Sequence, residues 1–155
     1  MINDSRVKNG TLSLGPTATA LDVSCQVTNV RVTSAYSDDG DAVTTLCGDT
    51  KPSPRKLDGH KLEGTLIQDF DVATGWVEYV WANDLAVVAY EYVPNATGAP
   101  TISGTLLIEI PADTYGGDVN ARLTSDFAWN LQEKPTFTPA AGQTAAADAE
   151  AMAAA

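Results

Sequence analysis

A chain of 155 residues, 44% of them hydrophobic, is long enough for one domain with a buried core and too apolar to be disordered throughout. Twenty Asp and Glu against nine Lys and Arg leave a net charge of −11, which repels phosphate and excludes nonspecific binding to nucleic acid or to an anionic membrane surface. Two cysteines, Cys25 and Cys47, are too few for a disulfide framework, and no apolar run is long enough to span a bilayer.

Taken in order, the chain reads as strands separated by turns. Residues 8–14 alternate polar and apolar and stop at Gly15-Pro16. Residues 21–32 form a longer strand pattern: Leu21, Val23, Cys25 and Val27 share one phase, Val30 and Val32 the other. Such a phase change marks a bulge or bend, and the first phase places Cys25 in the core as a small apolar residue. Residues 34–56 are mostly turn chemistry, with Ser37-Asp38-Asp39-Gly40-Asp41 at one end and Cys47-Gly48-Asp49-Thr50-Lys51-Pro52-Ser53-Pro54 at the other. A β-branched patch at 42–46 lies between them. The expectation is an extended arm or loose hairpin, stiffened by Pro52 and Pro54.

Residues 60–69 resume as strand. Over 75–83 the period lengthens. Trp76, Tyr79, Val80 and Asn83 fall at helical spacing, and Asp71 or Thr74 is available as the cap. The expectation is a short helix with aromatic residues on its inner face. Residues 86–93 read as strand and 94–100 as a turn-rich connection. Residues 101–110 place Ile102, Leu106, Ile108 and Ile110 on one face and stop at Pro111. Residues 123–131 alternate through Ser125, Phe127 and Trp129, and Glu133-Lys134-Pro135 turns the chain toward a short last strand at 136–138. After Pro139 the composition shifts, and ten of the last sixteen residues are Ala. Thr144 could cap a helix through Met152, but a helix of that length is marginal alone. The pattern therefore divides into one domain, residues 1–139, and a flexible Ala-rich tail, 140–155. The fold class is mainly β (α+β). It is a β-sandwich or partly closed barrel of antiparallel strands, with one short flanking helix and a long extended loop.

Little in the sequence carries chemistry. His60 is the only histidine, so a Ser-His-Asp or Cys-His mechanism would have to use it. Set between Gly59 and Lys61, it reads as a surface-loop residue. There is no nucleophile elbow, P-loop or dinucleotide fingerprint. Gly116-Gly117 lacks the spacing of a phosphate cradle and reads as a loop that needs positive φ. Asp38-Asp39-Gly40-Asp41 lacks the alternating acids and terminal Glu of a calcium loop. Trp76, Trp81 and Trp129 could stack on sugars, but their Val and Leu neighbours favour core packing. The opening Met1-Ile2-Asn3-Asp4-Ser5-Arg6 has no basic region followed by an apolar run, so no secretory signal is expected and Cys25 and Cys47 are expected as free thiols. No catalytic residue, metal or cofactor is expected. Charge is unevenly spread: residues 62–121 hold nine Asp or Glu and no Lys or Arg, whereas Lys51, Arg55, Lys56 and Lys61 supply four of the nine bases. That asymmetry fits an arm that docks on an acidic neighbour.

Residues 46–136 resemble the major tail protein, or tail-tube protein, of long-tailed bacteriophages, especially those infecting actinobacteria. The stretches that carry the resemblance are Leu46-Cys47-Gly48-Asp49, Leu62-Glu63-Gly64-Thr65-Leu66-Ile67-Gln68-Asp69-Phe70 and Trp76-Val77-Glu78-Tyr79-Val80-Trp81-Ala82-Asn83-Asp84. Thr101-Ile102-Ser103-Gly104-Thr105 and Gly116-Gly117-Asp118-Val119, leading to Asp126-Phe127-Ala128-Trp129, complete the order. The resemblance implies a virion protein with two packed antiparallel sheets, a flanking helix and a long loop. It implies hexameric rings stacked into a hollow tube, assembled in the host cytoplasm. Viral DNA would pass through the acidic lumen without specific binding, and the partners would be further copies, a tape-measure protein and tail-tip or terminator proteins. It implies no membrane and no catalytic residues. Within that frame the long loop becomes the contact between rings, with Val43 and Leu46 for apolar contact and Lys51, Arg55 and Lys56 for charge. A carbohydrate-binding β-sandwich module is the alternative; it expects a monomer with exposed Trp.

Overall fold

The computed structural model describes residues 7–70, 75–95, 100–112 and 115–140. The Ala-rich tail with its Thr144 cap and the helix caps expected at Asp71 or Thr74 lie outside those residues. Ten strands and one helix follow one another: β1 (Thr11–Leu14), β2 (Leu21–Asp22), β3 (Val27–Asp38), β4 (Val43–Thr44), β5 (Thr50–Lys51), β6 (Arg55–Ile67), α1 (Trp76–Ala82), β7 (Val87–Val93), β8 (Thr101–Leu107), β9 (Thr124–Asn130) and β10 (Thr136–Thr138). The fold is mainly β and sandwich-like. One sheet has the order β10-β8-β7-β1-β2, the second β3-β6-β9, and β4-β5 forms a separate ribbon. All strand pairs are antiparallel.

Alternation sets which face of each sheet is buried. In β9, Ser125, Phe127 and Trp129 are buried and the residues between them are exposed. Their partners across β6 are Leu66, Gly64 and Leu62, so the second sheet turns one apolar face inward. Phe127 packs beside Trp129 with ring centroids 4.4 Å apart. Gly64 leaves room there, because a Cβ at that position would lie 2.0 Å from the Asn29 carbonyl oxygen and 3.0 Å from the Phe127 ring. The first sheet contributes Leu12, Leu14, Tyr90, Tyr92 and Leu106 to the same core. Tyr90 lies opposite Gly104, and its phenol ring packs over that position. The outward face of the second sheet is polar, with Arg31 and Glu63 paired at 3.2 Å and Thr65 Oγ1 donating to Asp126 Oδ1 at 2.6 Å.

The sheets meet at one corner, and no barrel closes. There the Leu131 amide donates to the His60 carbonyl while Leu131 bridges Leu106 and Gln132 donates to Thr105. At another turn, residues 21–32 are two strands rather than one. The Gln26 amide donates to the Val23 carbonyl, which turns the chain out of β2, and the register of β3 then slips between Val27 and Asn29. Cys25 sits in that turn and is exposed, so its alternation with Val23 reflects two separate elements and does not place it in the core. Cys47 is also an exposed, unbridged thiol.

α1 covers one side of the sandwich. Trp76, Val77 and Val80 are buried, and the Trp76 indole N–H donates to the Ile67 carbonyl at 2.6 Å. The carboxylate of Asp69 caps the helix, accepting from the amides of Trp76 at 2.9 Å and Val77 at 3.2 Å. Gly75 permits this approach: a Cβ there would lie 2.4 Å from Asp69 Oδ2.

Candidate functional site

Two exposed features stand out, an arm and a groove. The arm is the outer half of the β3–β6 hairpin. Up to Val32 and Leu62 the pair rests on the core. Beyond it, none of residues 34–58 is buried. Sequence alone reads this segment as turn chemistry in an extended arm or loose hairpin and does not mark its strands, because solvent lies on both faces and leaves no apolar period to see. Backbone pairing nevertheless continues from Ser34–His60 to Asp38–Arg55. Five paired residues at roughly 3.4 Å each extend the shaft by about 17 Å.

Polar side chains tie the shaft together. Ser37 Oγ donates to Asp58 Oδ1 at 2.7 Å, and Arg55 Nη1 lies 3.1 Å from Asp38 Oδ1. Pairing then breaks because Pro52 and Pro54 have no amide to donate. Pro54 still accepts from the Asp39 amide at 2.7 Å. The tip is a second small ribbon in which Val43 faces Lys51 and Thr44 faces Thr50. Its turn is closed by Thr45–Asp49 and Gly48–Thr45 backbone bonds, with Gly48 at φ 86°, in the left-handed region. Directly opposed residues on antiparallel strands project to the same face. Val43 and Lys51 therefore share one face of the ribbon, and Tyr36 and Leu57 share one face of the shaft. All five residues expected to make contacts, Val43, Leu46, Lys51, Arg55 and Lys56, are exposed and lie on the arm. Leu46 sits in the turn at its tip.

The groove lies over α1. Phe70 and Trp81 are 55% and 64% exposed, high for large aromatic side chains. The Tyr115 ring stands between them, its centroid 5.9 Å from that of Phe70 and 6.0 Å from that of Trp81. With Val77, Asp69 and Glu78 they line an open hollow of about 690 Å³. Burial, with Asp84 and Asp69 nearby, pushes the Tyr115 phenol above its ordinary pKa, so it stays neutral. Of the three tryptophans, Trp76 and Trp129 are core residues and Trp81 is not. The only sequence signal was its place one position past Val80, at the flank of the buried stripe. Phe70 and Tyr115 reach the groove from distant segments, which no local pattern reveals.

His60 is not in a loop. It belongs to β6, and its Nδ1 lies 2.6 Å from Ser34 Oγ. Its Nε2 has no hydrogen-bond partner among the described residues, so the third member that would orient a catalytic dyad does not appear there. Gly116 has φ 109°, as expected for that loop, and its amide and carbonyl both bond the Gln68 side chain. Among the described residues, no three His, Cys, Asp or Glu groups converge as metal ligands, and no helix is long and apolar enough to cross a membrane. No protein-family model matches the sequence, and no curated protein matches it significantly.

Proposed function

We propose that this chain is a structural subunit of a bacteriophage tail tube, closing into hexameric rings that stack into a hollow conduit for viral DNA. The arm carries the reading. Ordering residues 34–58 costs backbone entropy, yet none of them is buried in its own subunit. Such a projection makes sense as a contact between subunits. The outer edge of β3, twelve residues long, has no partner strand among the described residues. Pairing it with a neighbour would remove an edge otherwise open to aggregation. The charge of −11 supports a conduit role, because an acidic wall repels DNA phosphates and lets a duplex slide. Sedimentation velocity of the purified chain over a concentration series tests the reading: discrete rings of six and their multiples support it, and a single monomer boundary up to the highest concentrations reached overturns it.

The aromatic groove favours a second reading, a carbohydrate-binding module. Its geometry is a weak match. The Tyr115 ring is inclined 78° to Phe70 and 49° to Trp81, so the three present no flat stacking platform. Asp69 already uses both carboxylate oxygens on helix amides. Calorimetry with a panel of oligosaccharides separates the readings; binding that is lost in Trp81→Ala would favour the module.

A further inference from the structure

We infer that the groove over α1 is the seat for the arm tip of a second copy of this chain. The inference rests on the tube reading and adds the receiving surface to it. No arm residue lines the groove, so within one chain the two features do not meet. Their chemistry is complementary. The groove offers an aromatic floor, Phe70, Trp81 and Tyr115, with Glu78 at its rim and the negative charge of Asp69, whose oxygens accept from the helix amides, beside it. The tip offers Val43 and Lys51 side by side on one face. Val43 would displace water from the floor, while the Lys51 ammonium meets the rim or the face of Trp81.

Charge also fixes the orientation. The groove lies in the stretch 62–121, which has nine acids and no base. The returning side of the arm, residues 51–57, holds Lys51, Arg55 and Lys56 and no acid, and of these Arg55 is paired with Asp38 across the shaft. Charge thereby favours docking through the side that carries Lys51. Because arm and groove are different surfaces, the contact is head-to-tail and can propagate from copy to copy. A tip this small binds weakly by itself. Several arms held in one ring would engage together, and their combined avidity exceeds that of any single contact.

Cys47 provides the test, since it lies exposed in the arm's turn. In the full chain with Cys25→Ser, a benzophenone maleimide is attached to Cys47, the concentrated protein is irradiated, and crosslinked peptides are mapped by mass spectrometry. Crosslinks between chains should fall on peptides containing Phe70, Trp81 or Tyr115. Trp81→Ala or Lys51→Glu should each lower their yield roughly tenfold or more. Glu78→Lys combined with Lys51→Glu should restore it. Circular dichroism melting confirms that each variant is folded. Crosslinks mapping elsewhere, or none between chains, overturn the inference. If rings and tubes form but the crosslinks lie elsewhere, the tube reading stands and this inference falls. If the crosslinks lie in the groove of oligomers that are neither rings nor tubes, the reverse holds.

Discussion

Tyr90 lies in the core opposite Gly104, and its hydroxyl has no hydrogen-bond partner among the described residues. Burial pushes its pKa from 10.0 up to about 12. Between those values the unfolded chain has released the proton and the folded chain has kept it. The contribution to stability is therefore complete below pH 10 and is lost as pH rises toward 12. Tyr79, Tyr92 and Tyr115 shift in the same direction, also through burial. Tyr90→Phe should thus shallow the alkaline loss of stability measured by urea melts between pH 9 and 12, without abolishing it. At neutral pH the same variant should match the parent or gain up to about 1–2 kcal/mol, since a buried unsatisfied hydroxyl is removed. A clear loss at pH 7 would mean that the hydroxyl has a partner. A second residue-scale prediction concerns the helix cap. Gly75→Ala and Asp69→Ala should each cost about 1–2 kcal/mol, one by crowding the carboxylate and the other by deleting it. Because both remove the same interaction, the double variant should fall well short of the sum in thermal or urea melts.

At the scale of elements, the arm is separable from the core. Deleting residues 39–50 removes the tip ribbon and only exposed residues. The variant should melt within a few degrees of the parent in circular dichroism, yet fail to elongate tubes. Normal tubes from it would mean that stacking uses another surface. How legible each element was depended on whether one of its faces is buried. β9, half in and half out, showed its alternation plainly, and α1 showed its buried stripe at Trp76 and Val80. β3 and β6 were readable where Val32 and Leu62 touch the core and invisible from Ser34 to Asp38 and from Arg55 to Asp58, where both faces are wet. Cys25 misled because a two-residue strand and a turn happened to preserve the parity of a continuous strand. The arm's basic and apolar residues were visible as composition, whereas their pairing, Val43 with Lys51, came only from the register. The groove was hidden altogether. It is assembled from residues 70, 81 and 115, and neither its shape nor the exposure of Trp81 is encoded locally.

For the whole molecule, charge sets what assembly must overcome. Copies carrying −11 each repel one another at low ionic strength, so assembly should strengthen as salt rises toward physiological levels. The same charge should leave duplex DNA unbound: electrophoretic mobility should not change at 150 mM salt with protein in the range of about 10⁻⁴ M, where nonspecific DNA binders are already engaged. A retarded band would contradict a non-adhesive lumen. Electron microscopy of the concentrated protein shows whether the chain builds a tube through its projecting arm. Hollow rings and stacked tubes are expected, with density for the arm crossing from each ring to the next; dispersed monomers, or tubes whose rings touch without the arm, would rule out an arm-built tube.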